Sequence, residues 1–600
     1  MKRKYCILSI IISAALLAGC LSACGESGTA TGGSSSEENT AAAVTTLDTT
    51  ADVEAPDVSG ATTIALSGQS ATATGTGAEV TNGMVTITAG GTYVVTGTMT
   101  EGRILVNAPK EEVTLVLQDA AITCSTGSPL YVYKSKATTL YLPEGTDSTL
   151  TDGTDNTFSD SYSSAEEEEP NACLYSKSDL VIAGSGSLTV NANYNNGITG
   201  KDTLFIQKAS VTVTAVNHGI NGKDSLTIKD ADITVTSGGD ALRSTNDSDP
   251  TLGYLVITGS ALKLTAGEDG IQAETTLTIS GGTATVTTAG GAGQSISDDT
   301  SAKGFKAGTQ VTVTGGTFQL NCCDDAIHSN GDVTISGGSF TIATGDDGMH
   351  ADDTLSISSG TIDITRSYEG LEGAKVLISG GKISIVASDD GINAAGGSDQ
   401  SGFGGFGFAP DAFGGSGDYL IRISGGVVTV NASGDGIDSN GDIEVTGGEL
   451  YISGPTSNGD GTIDCDGSAT ITGGIVVAAG STGMAENFGT ASTQGSILVN
   501  LSGSAGQAIT LKDSDGDILA SFTPAKAFGC VVVSAPGVAQ GGTYTIAAGG
   551  ASTTVTMESL IYGSGMGGFG GMGGGMGDPG NMGGGQQPPQ GGVGGPGNRG

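Results

Sequence analysis

The chain lacks tryptophan, and aromatic residues make up only 4% of its 600 residues. Proline is scarce, with 14 residues, so the 104 glycines do not belong to a collagen-like Gly-X-Y sequence. Basic residues are also few, because 23 Lys and Arg stand against 63 Asp and Glu, giving a formal net charge of −40. Such a charge repels phosphate backbones and excludes nucleic acid as a natural partner. The 37% of hydrophobic residues are enough to build a core.

Long hydrophobic runs are absent too, since no segment reaches the roughly 18 consecutive apolar residues of a membrane-spanning helix. A shorter apolar run, 7–17, follows a basic start and is typical of an export signal. It ends on Leu17-Ala18-Gly19-Cys20, and Leu21-Ser22-Ala23-Cys24 follows at once. Both stretches resemble the lipobox of bacterial lipoproteins, whereas an ordinary secretory signal is the alternative. We therefore predict lipidation at Cys20 or Cys24, a lipid anchor in the bacterial cell membrane, and a position at the cell surface.

A repeat of about 22 residues occupies most of the chain. Its marker is a tripeptide such as Asp325-Ala326-Ile327 or Asp347-Gly348-Met349, and apolar-polar-apolar triplets such as Val333-Thr334-Ile335 recur between the markers. Each triplet has the alternation of a short strand with one buried face. Three short strands and three turns per repeat predict one rung of a parallel β-helix, with rungs stacked about 4.8 Å apart. The predicted fold class is therefore all-β, a right-handed parallel β-helix with a small C-terminal β cap. A propeller and a sandwich are the alternatives, but neither explains this period.

Composition and periodicity divide the chain into five predicted parts. They are a lipoprotein signal and lipobox in 1–24, a flexible tether in 25–58, the parallel β-helix in 59–485, the β cap in 486–562 and a disordered Gly/Met-rich tail in 563–600. We expect a monomer.

An acidic column is predicted from the repeat, because the first position of the tripeptide is acidic in eight of twelve repeats. Stacked carboxylates about 4.8 Å apart repel by about 1 kcal/mol in water and by ~3.5 kcal/mol at an effective dielectric near ~20. Calcium, which takes roughly six to eight oxygen ligands in loose geometry, is the predicted cofactor. Solvated Asp-Gly turns are the alternative. The predicted metal ligands are Asp269, Asp324, Asp325, Asp346, Asp347, Glu369, Asp389 and Asp390.

A second column is polar and lies two positions after the Gly or Ala of each tripeptide. Strand alternation should point these side chains outward, which predicts an extended polar strip beside the cations. Such a strip suits a linear polysaccharide, above all one whose carboxylates calcium can bridge, while an ordinary solvated face is the alternative. The chain has no Trp to stack on sugar rings, so Tyr368 and the Phe-rich insertion in 396–417 are the aromatic residues predicted to do so. The predicted carbohydrate-binding residues are Arg243, Gln272, Lys306, His328, His350, Glu372 and Asn393.

Several stretches between about residues 62 and 480 resemble a known bacterial family. The stretches are Gly91-Thr92-Tyr93-Val94-Val95-Thr96-Gly97, Glu169-Pro170-Asn171-Ala172, Gly197-Ile198, Gly219-Ile220-Asn221-Gly222-Lys223-Asp224 and Glu268-Asp269-Gly270-Ile271-Gln272-Ala273-Glu274. The chain thus resembles the calcium-binding, carbohydrate-binding lipoproteins whose fold is like that of pectate lyases. The resemblance implies binding to cellulose-like and pectin-like polysaccharides at a cell surface, with calcium held in a β-helix. Lys303 stands where one repeat of the column would carry an acid.

Three functions remain open on the sequence. The first is calcium-dependent, non-catalytic polysaccharide binding. The second is a polysaccharide (pectate) lyase acting by β-elimination, for which Arg243, Lys303 and Lys306 are candidate bases. Glycoside hydrolysis is a weaker enzymatic hypothesis. It needs a pair of carboxylates, but such pairs occur throughout the column and so do not mark an active site. The third function is a structural adhesin or spacer that calcium stiffens.

Overall fold

The computed structural model describes residues 47–158, 161–297, 300–395 and 418–563. These residues form 49 β-strands, and none of them belongs to a helix that is long and apolar enough to span a membrane. The predicted signal with Cys20 and Cys24, the tether up to residue 46, the insertion 396–417 and the tail from residue 564 lie outside the described residues.

The strands are short and follow one another at close intervals. In chain order, β1 to β10 span Thr62–Gly68, Ser70–Thr74, Ala78–Thr81, Met84–Ile87, Gly91–Met99, Arg103–Asn107, Glu112–Cys124, Leu130–Lys134, Ala137–Tyr141 and Asp147–Asp152. Strands β11 to β26 span Ala172–Ser176, Asp179–Ala183, Ser187–Ala192, Asn196–Gly200, Thr203–Gln207, Ser210–Ala215, Ile220–Gly222, Ser225–Lys229, Asp232–Ser237, Leu242–Ser244, Tyr254–Thr258, Ala261–Ala266, Ile271–Ala273, Thr276–Thr288, Phe305–Ala307 and Gln310–Cys322. Strands β27 to β42 span Ile327–Ser329, Asp332–Ile335, Ser339–Thr344, Met349–Ile357, Thr361–Ser367, Leu371–Ile378, Lys382–Ala387, Ile392–Ala394, Leu420–Ile423, Val427–Ala432, Ile437–Ser439, Asp442–Val445, Glu449–Ser453, Asp464–Cys465, Ala469–Ile471 and Ile475–Gly480. Strands β43 to β49 span Ser496–Val499, Ile509–Lys512, Ile518–Phe522, Cys530–Ser534, Thr543–Ala548, Ala551–Thr556 and Ile561–Tyr562.

Strands one repeat apart pair in parallel and in register. Ile198 of β14 lies beside Ile220 of β17, which lies beside Leu242 of β20. The apolar residues that alternate along these strands therefore fall into inward-facing rows. One such row is fully buried and consists of Leu174, Ile198, Ile220, Leu242, Ile271, Phe305, Ile327, Met349, Leu371, Ile392 and Ile437. Burial of each of these side chains contributes about 1.5–3 kcal/mol, which explains why the strands hold one register.

The predicted right-handed parallel β-helix is wrong. The parallel strands close into a barrel-like wall around one core, with extra strands at the ends in the same 45-stranded network. Strands β7, β24 and β26 are each 13 residues long, so they exceed the short triplets from which the rungs were predicted. The 22-residue period determines which residues pair, but hydrogen bonds at the corners and ends decide how the wall is joined and closed.

Both ends of the wall carry antiparallel strands that shield otherwise unpaired edges. At the N-terminal end, β1 pairs with β2 and β3 pairs with β4 in antiparallel fashion. At the C-terminal end, β46 pairs antiparallel with β42 and β43, and a second core forms beside the four-stranded sheet β45-β44-β47-β48.

The last part of the predicted tether has defined contacts. Asp52 lies 2.8 Å from the Nζ atoms of both Lys208 and Lys229, and the Val53 N–H donates to Gln207 Oε1 at 2.7 Å. Residues around Asp52 therefore lie against β15 and β18.

Gly219 permits the close approach of adjacent repeats. A Cβ atom at this position would lie 2.4 Å from Val235 Cγ1 and 2.5 Å from the Ala241 carbonyl oxygen. We expect Gly219→Ala to lower the free energy of unfolding by about 2 kcal/mol, because the backbone must shift to admit the methyl group. Urea denaturation measures the loss. The matched control is Gly550→Ala, where a Cβ meets nothing within 4 Å; equal stability of the two variants would contradict the prediction.

Candidate functional site

The predicted carboxylates lie in one file along the wall, which we call the acid column (Asp240, Asp269, Asp325, Asp347, Glu369, Asp390 and Asp435). One oxygen of a carboxylate accepts a hydrogen bond from the backbone N–H one repeat later. Asp325 Oδ1 accepts from the N–H of Asp347 at 3.0 Å, and Asp347 Oδ1 accepts from the N–H of Glu369 at 3.1 Å. These oxygens therefore help to hold successive repeats together, and only the second oxygen is left for other partners.

The second oxygen of several carboxylates meets the polar column, which comprises Arg243, Gln272, Lys306, His328, His350, Glu372, Asn393 and Asp438. Asp240 Oδ2 lies 3.3 Å from Arg243 Nη1, and Asp325 Oδ2 lies 2.9 Å from His328 Nδ1. His328, His350 and Asn393 are buried, whereas Arg243, Gln272, Lys306 and Glu372 are half-buried. The strip predicted to face a polysaccharide therefore packs largely against the acid column.

Lysines neutralise the middle of the acid column. Lys303 is only 4% exposed, and its Nζ atom lies 2.6 Å from Asp325 Oδ2 and 3.0 Å from Asp324 Oδ1. Lys306 Nζ lies 3.3 Å from Asp269 Oδ2. Burial acts to raise the pKa of Asp325, but the Lys303 charge and the His328 hydrogen bond hold that pKa well below its usual range. Asp346 lies within 4.8 Å of the Asp324 and Asp325 carboxylates and so belongs to the same group.

His350 neutralises the next stretch. Its Nδ1 atom lies 2.5 Å from Glu372 Oε2 and 3.3 Å from Asp347 Oδ2, while Nε2 lies 3.1 Å from Asp352 Oδ1. Burial would lower the pKa of His350, yet the hydrogen bonds to Asp347 and Glu372 raise it to about 12. The ring is therefore a cation at neutral pH and stacks on His328 with ring centroids 4.9 Å apart. Sequence reasoning missed Asp352, although its spacing from His350 matches that of Asn330 from His328.

Beyond Glu369 the acid column changes character. Carboxylate oxygens of Asp390, Asp435 and Asp438 lie within 4.8 Å of one another, and no Lys or Arg pairs with Asp390 or Asp435 among the described residues. Burial and the charges of Asp435 and Asp389 raise the pKa of Asp390 to about 8. Burial also raises the pKa of Asp435 to about 7, together with the charge of Asp438. Within the described part of the chain, Asp390 and Asp435 therefore lack the Lys and Arg partners found earlier in the column.

Sequence reasoning did not select Asp435 and Asp438 as metal ligands. The insertion 396–417 places Asp435 45 residues after Asp390, so these acids fell outside the dense run of consecutive repeats. Strand pairing nevertheless brings the residues on the two sides of the insertion together, because Asn393 of β34 pairs with Asp438 of β37. The signal in the sequence was the continued Asp-Gly-Ile tripeptide on the far side of the insertion.

An amide oxygen completes this group, which we call the C-terminal acid cluster (Asp390, Asn393, Asp435 and Asp438). Asn393 donates from Nδ2 to Glu369 Oε1 at 3.1 Å and Oε2 at 3.0 Å, whereas its buried Oδ1 has no hydrogen-bond partner. Three clustered carboxylates, and the unpartnered amide oxygen of the residue paired with Asp438, are hard oxygen donors, as calcium requires. The cluster has no His or Cys, which zinc would prefer. These donors therefore fit calcium.

The predicted metal ligands are thus divided by their surroundings. Asp269, Asp324, Asp325 and Asp347 lie beside protein cations, with Asp346 in the same group as Asp324 and Asp325, whereas Asp390 lies in the C-terminal acid cluster. Glu369 lies one repeat before that cluster, and burial together with the charges of Glu372 and Asp390 raises its pKa. Asp389 accepts a hydrogen bond from Tyr368, which raises the pKa of that phenol.

Comparison with known proteins gives three similarities. A family model described as carbohydrate-binding domain-containing protein matches residues 81–348 and 346–565. A curated relative of that same description, from Acetivibrio thermocellus, is 40% identical over 204 residues, which cover 34% of this chain and 70% of the relative. A solved structure of the polysaccharide lyase-like protein from C. thermocellum, a gadolinium derivative, is 30% identical with a TM-score of 0.36 and covers 46% of this chain and 96% of that one.

Proposed function

Because this chain belongs to the family of carbohydrate-binding domain-containing proteins, we propose that it binds an acidic or cellulose-like polysaccharide in a calcium-dependent, non-catalytic way. The observation that carries the calcium part is the C-terminal acid cluster. There, Asp390 and Asp435 have raised pKa values, and Asn393 Oδ1 lacks a hydrogen-bond partner. A cation would relieve the repulsion and complete the coordination of the amide oxygen.

The C-terminal acid cluster would hold the cation through the carboxylates of Asp390, Asp435 and Asp438 and the Oδ1 atom of Asn393. With one oxygen from each residue, the cluster supplies fewer ligands than calcium takes, and calcium tolerates loose geometry. When bound, calcium supplies a positive centre that accepts carboxylates of a pectin-like chain. In this proposal the protein residues hold and orient the cation, and the polysaccharide completes its coordination.

The lyase alternative needs a basic side chain that is available to remove a proton. All three candidate bases are engaged with carboxylates. Lys303 is buried against Asp324 and Asp325, Lys306 pairs with Asp269, and Arg243 Nη1 lies 2.7 Å from His218 Nε2 and 3.3 Å from Asp240 Oδ2. These contacts favour the non-catalytic function.

The cellular setting is part of the proposal. The basic start, the apolar run and the two lipobox-like stretches support a lipid anchor at the outer face of the bacterial cell membrane. We propose that the protein acts there as a monomer.

The test uses the chain from residue 25 onward, with retention on polygalacturonate and on cellulose measured in calcium and in chelator. We expect calcium to strengthen retention on polygalacturonate well beyond that in chelator, without growth of the absorbance of unsaturated uronides. The Asp435→Asn/Asp438→Asn variant should bind calcium about tenfold more weakly, since two charged ligands are lost while the side-chain shapes remain. Calorimetric titration with calcium measures this change.

The matched control is Asp232→Asn/Asp353→Asn, which removes two exposed carboxylates and the same charge. It should bind calcium like the unsubstituted protein. Growing absorbance would select the lyase instead. Calcium binding without retention on either polysaccharide would contradict the proposal and favour the structural adhesin or spacer.

A further inference from the structure

Three lysines lie in a row on the wall, near its N-terminal end. The backbone N–H of Lys177 donates to the Val132 carbonyl at 2.9 Å, and those of Lys201 and Lys223 donate to Ser176 and Gly200 at 2.8 Å each. Lys177, Lys201 and Lys223, which we call the lysine row, therefore occupy equivalent positions in consecutive repeats, about 4.8 Å apart. A row of like positive charges is unexpected in a chain with a net charge of −40.

A carboxylate of the protein itself shows what the lysine row accepts. Glu169 Oε2 lies 2.7 Å from Lys177 Nζ, and Glu169 Oε1 lies 2.7 Å from Lys201 Nζ. One carboxylate thus spans two neighbouring lysines with one oxygen on each. In the described ranges Lys223 forms no ion pair within 4.0 Å, so no carboxylate bridges Lys201 and Lys223 in this way. The nearby Asp202 carboxyl feels the Lys223 charge, which acts to lower its pKa, but it does not pair with that lysine.

Polar atoms without partners lie beside the lysine row. Thr199 and Asn221 precede Lys201 and Lys223 by two residues, so strand alternation places them on the same face. Both side chains are more than nine-tenths buried, with 3% and 8% exposed. Thr199 Oγ1 and Asn221 Oδ1 have no hydrogen-bond partner. Buried polar atoms are normally paired, so these two unsatisfied oxygens, just below the surface that carries the lysine row, point to a polar ligand on that face.

Tyrosine rings extend the same face at the Lys177 end. The rings of Tyr133 and Tyr162 are 5.2 Å apart in an edge arrangement, and Lys177 Nζ lies 5.7 Å from the Tyr133 centroid. Lys134 Nζ lies 5.2 Å from the same centroid. Both tyrosines are half-buried, so part of each remains accessible to a sugar.

We propose that the lysine row, with Tyr133 beside it, binds the carboxylates of an acidic polysaccharide directly and without calcium. The inference rests on the proposed function and adds a second subsite, remote in sequence from the C-terminal acid cluster. A uronate carboxylate takes the interval between Lys201 and Lys223, as Glu169 takes the interval before it. The polymer then runs along the row towards Tyr133, with its hydroxyl groups over Thr199 and Asn221.

The test measures affinity for polygalacturonate in chelator, where the calcium-dependent contribution is absent. Lys201→Ala/Lys223→Ala should weaken binding about fivefold to tenfold, because two charge-assisted contacts are lost. Binding of the unsubstituted protein in chelator should also weaken as salt rises. The matched control is Lys263→Ala/Lys382→Ala, which removes two exposed lysines of β22 and β33 and the same charge.

A third variant, Tyr133→Ala, tests the position of the sugar and should weaken binding in chelator while calcium titration remains unchanged. Equal affinity of the lysine-row variant and its control would overturn this inference while leaving the proposed function intact. Failure of the unsubstituted protein to bind polygalacturonate in either condition would instead overturn the proposed function. Melting temperatures of all variants show whether each is folded.

Discussion

We expect the Lys303→Met variant to lose about 3–5 kcal/mol of its free energy of unfolding. The Lys303 ammonium is the cation that neutralises Asp324 and Asp325, and the Asp325 side chain is fully buried. Methionine fills similar space but leaves these carboxylates without that charge, and removing one partner of a buried ion pair is far more costly than removing both. Urea denaturation at neutral pH measures the loss.

Restoring the charge balance should recover much of this stability. In the triple variant with Asp324→Asn and Asp325→Asn added, the amide oxygen at position 325 can still accept the hydrogen bond from the Asp347 N–H. The Lys306→Met variant provides the control, because Lys306 is more exposed and pairs with Asp269 at the longer distance of 3.3 Å. The reasoning fails if Lys303→Met is no less stable than Lys306→Met, or if the triple variant recovers nothing.

The second large effect is a fall in stability between pH 4.5 and pH 6.5 when no divalent cation is present. The pKa values of Asp390 and Asp435 are raised to about 8 and about 7, from an ordinary value of 3.8. Between pH 4.5 and pH 6.5 these carboxyls are largely protonated in the folded protein but ionised in the unfolded chain. The free energy of unfolding is therefore highest below the unfolded-state pKa of 3.8 and falls as the pH rises towards the folded-state pKa values. Two groups give a loss of about 3–5 kcal/mol across this window.

Denaturant unfolding at several pH values, in chelator, measures this slope. Asp390→Asn/Asp435→Asn should make the slope shallower, since neither amide titrates and each retains the oxygen that accepts from the next repeat. A smaller slope should remain, because burial raises the pKa values of Asp152 and Asp202 to about 6. His350 does not contribute to this fall. Its pKa is raised from the ordinary value of 6.5, so the stability that it adds is lost only as the pH rises above 6.5, outside the window. Calcium should oppose the fall by binding the ionised carboxylates. A slope unchanged in the double variant would refute the assignment.

These predictions describe a face whose charge changes along its length. One end carries Tyr133 and the lysine row with carboxylates beside it, the middle contains carboxylates neutralised by Lys303, Lys306 and His350, and the far end carries the C-terminal acid cluster. A single acidic polymer could therefore meet a direct cationic contact at one end and a calcium-mediated contact at the other. Chelator and salt separate the two contributions, because chelator removes only the second and salt screens mainly the first.

The family resemblance read from the sequence is confirmed by the family match. The acid column could also be anticipated from residues such as Asp325 and Asp347, because a constant period in strands places equivalent residues side by side. The sequence did not predict which groups neutralise the charge of the acid column. Lys303 interrupts the column in the sequence, yet only the folded wall shows its ammonium between Asp324 and Asp325.

Local order in the chain determined that this protein is all-β, which residues pair, and which side chains face the core, since alternation and period are properties of the backbone itself. Tertiary structure decided how the strands close around that core and which carboxylates face a protein cation. Asp390, Asn393 and Asp438 become neighbours only because pairing continues across the insertion. Charge neutralisation depends on distances of a few ångströms between repeats, and those distances exist only in the folded wall.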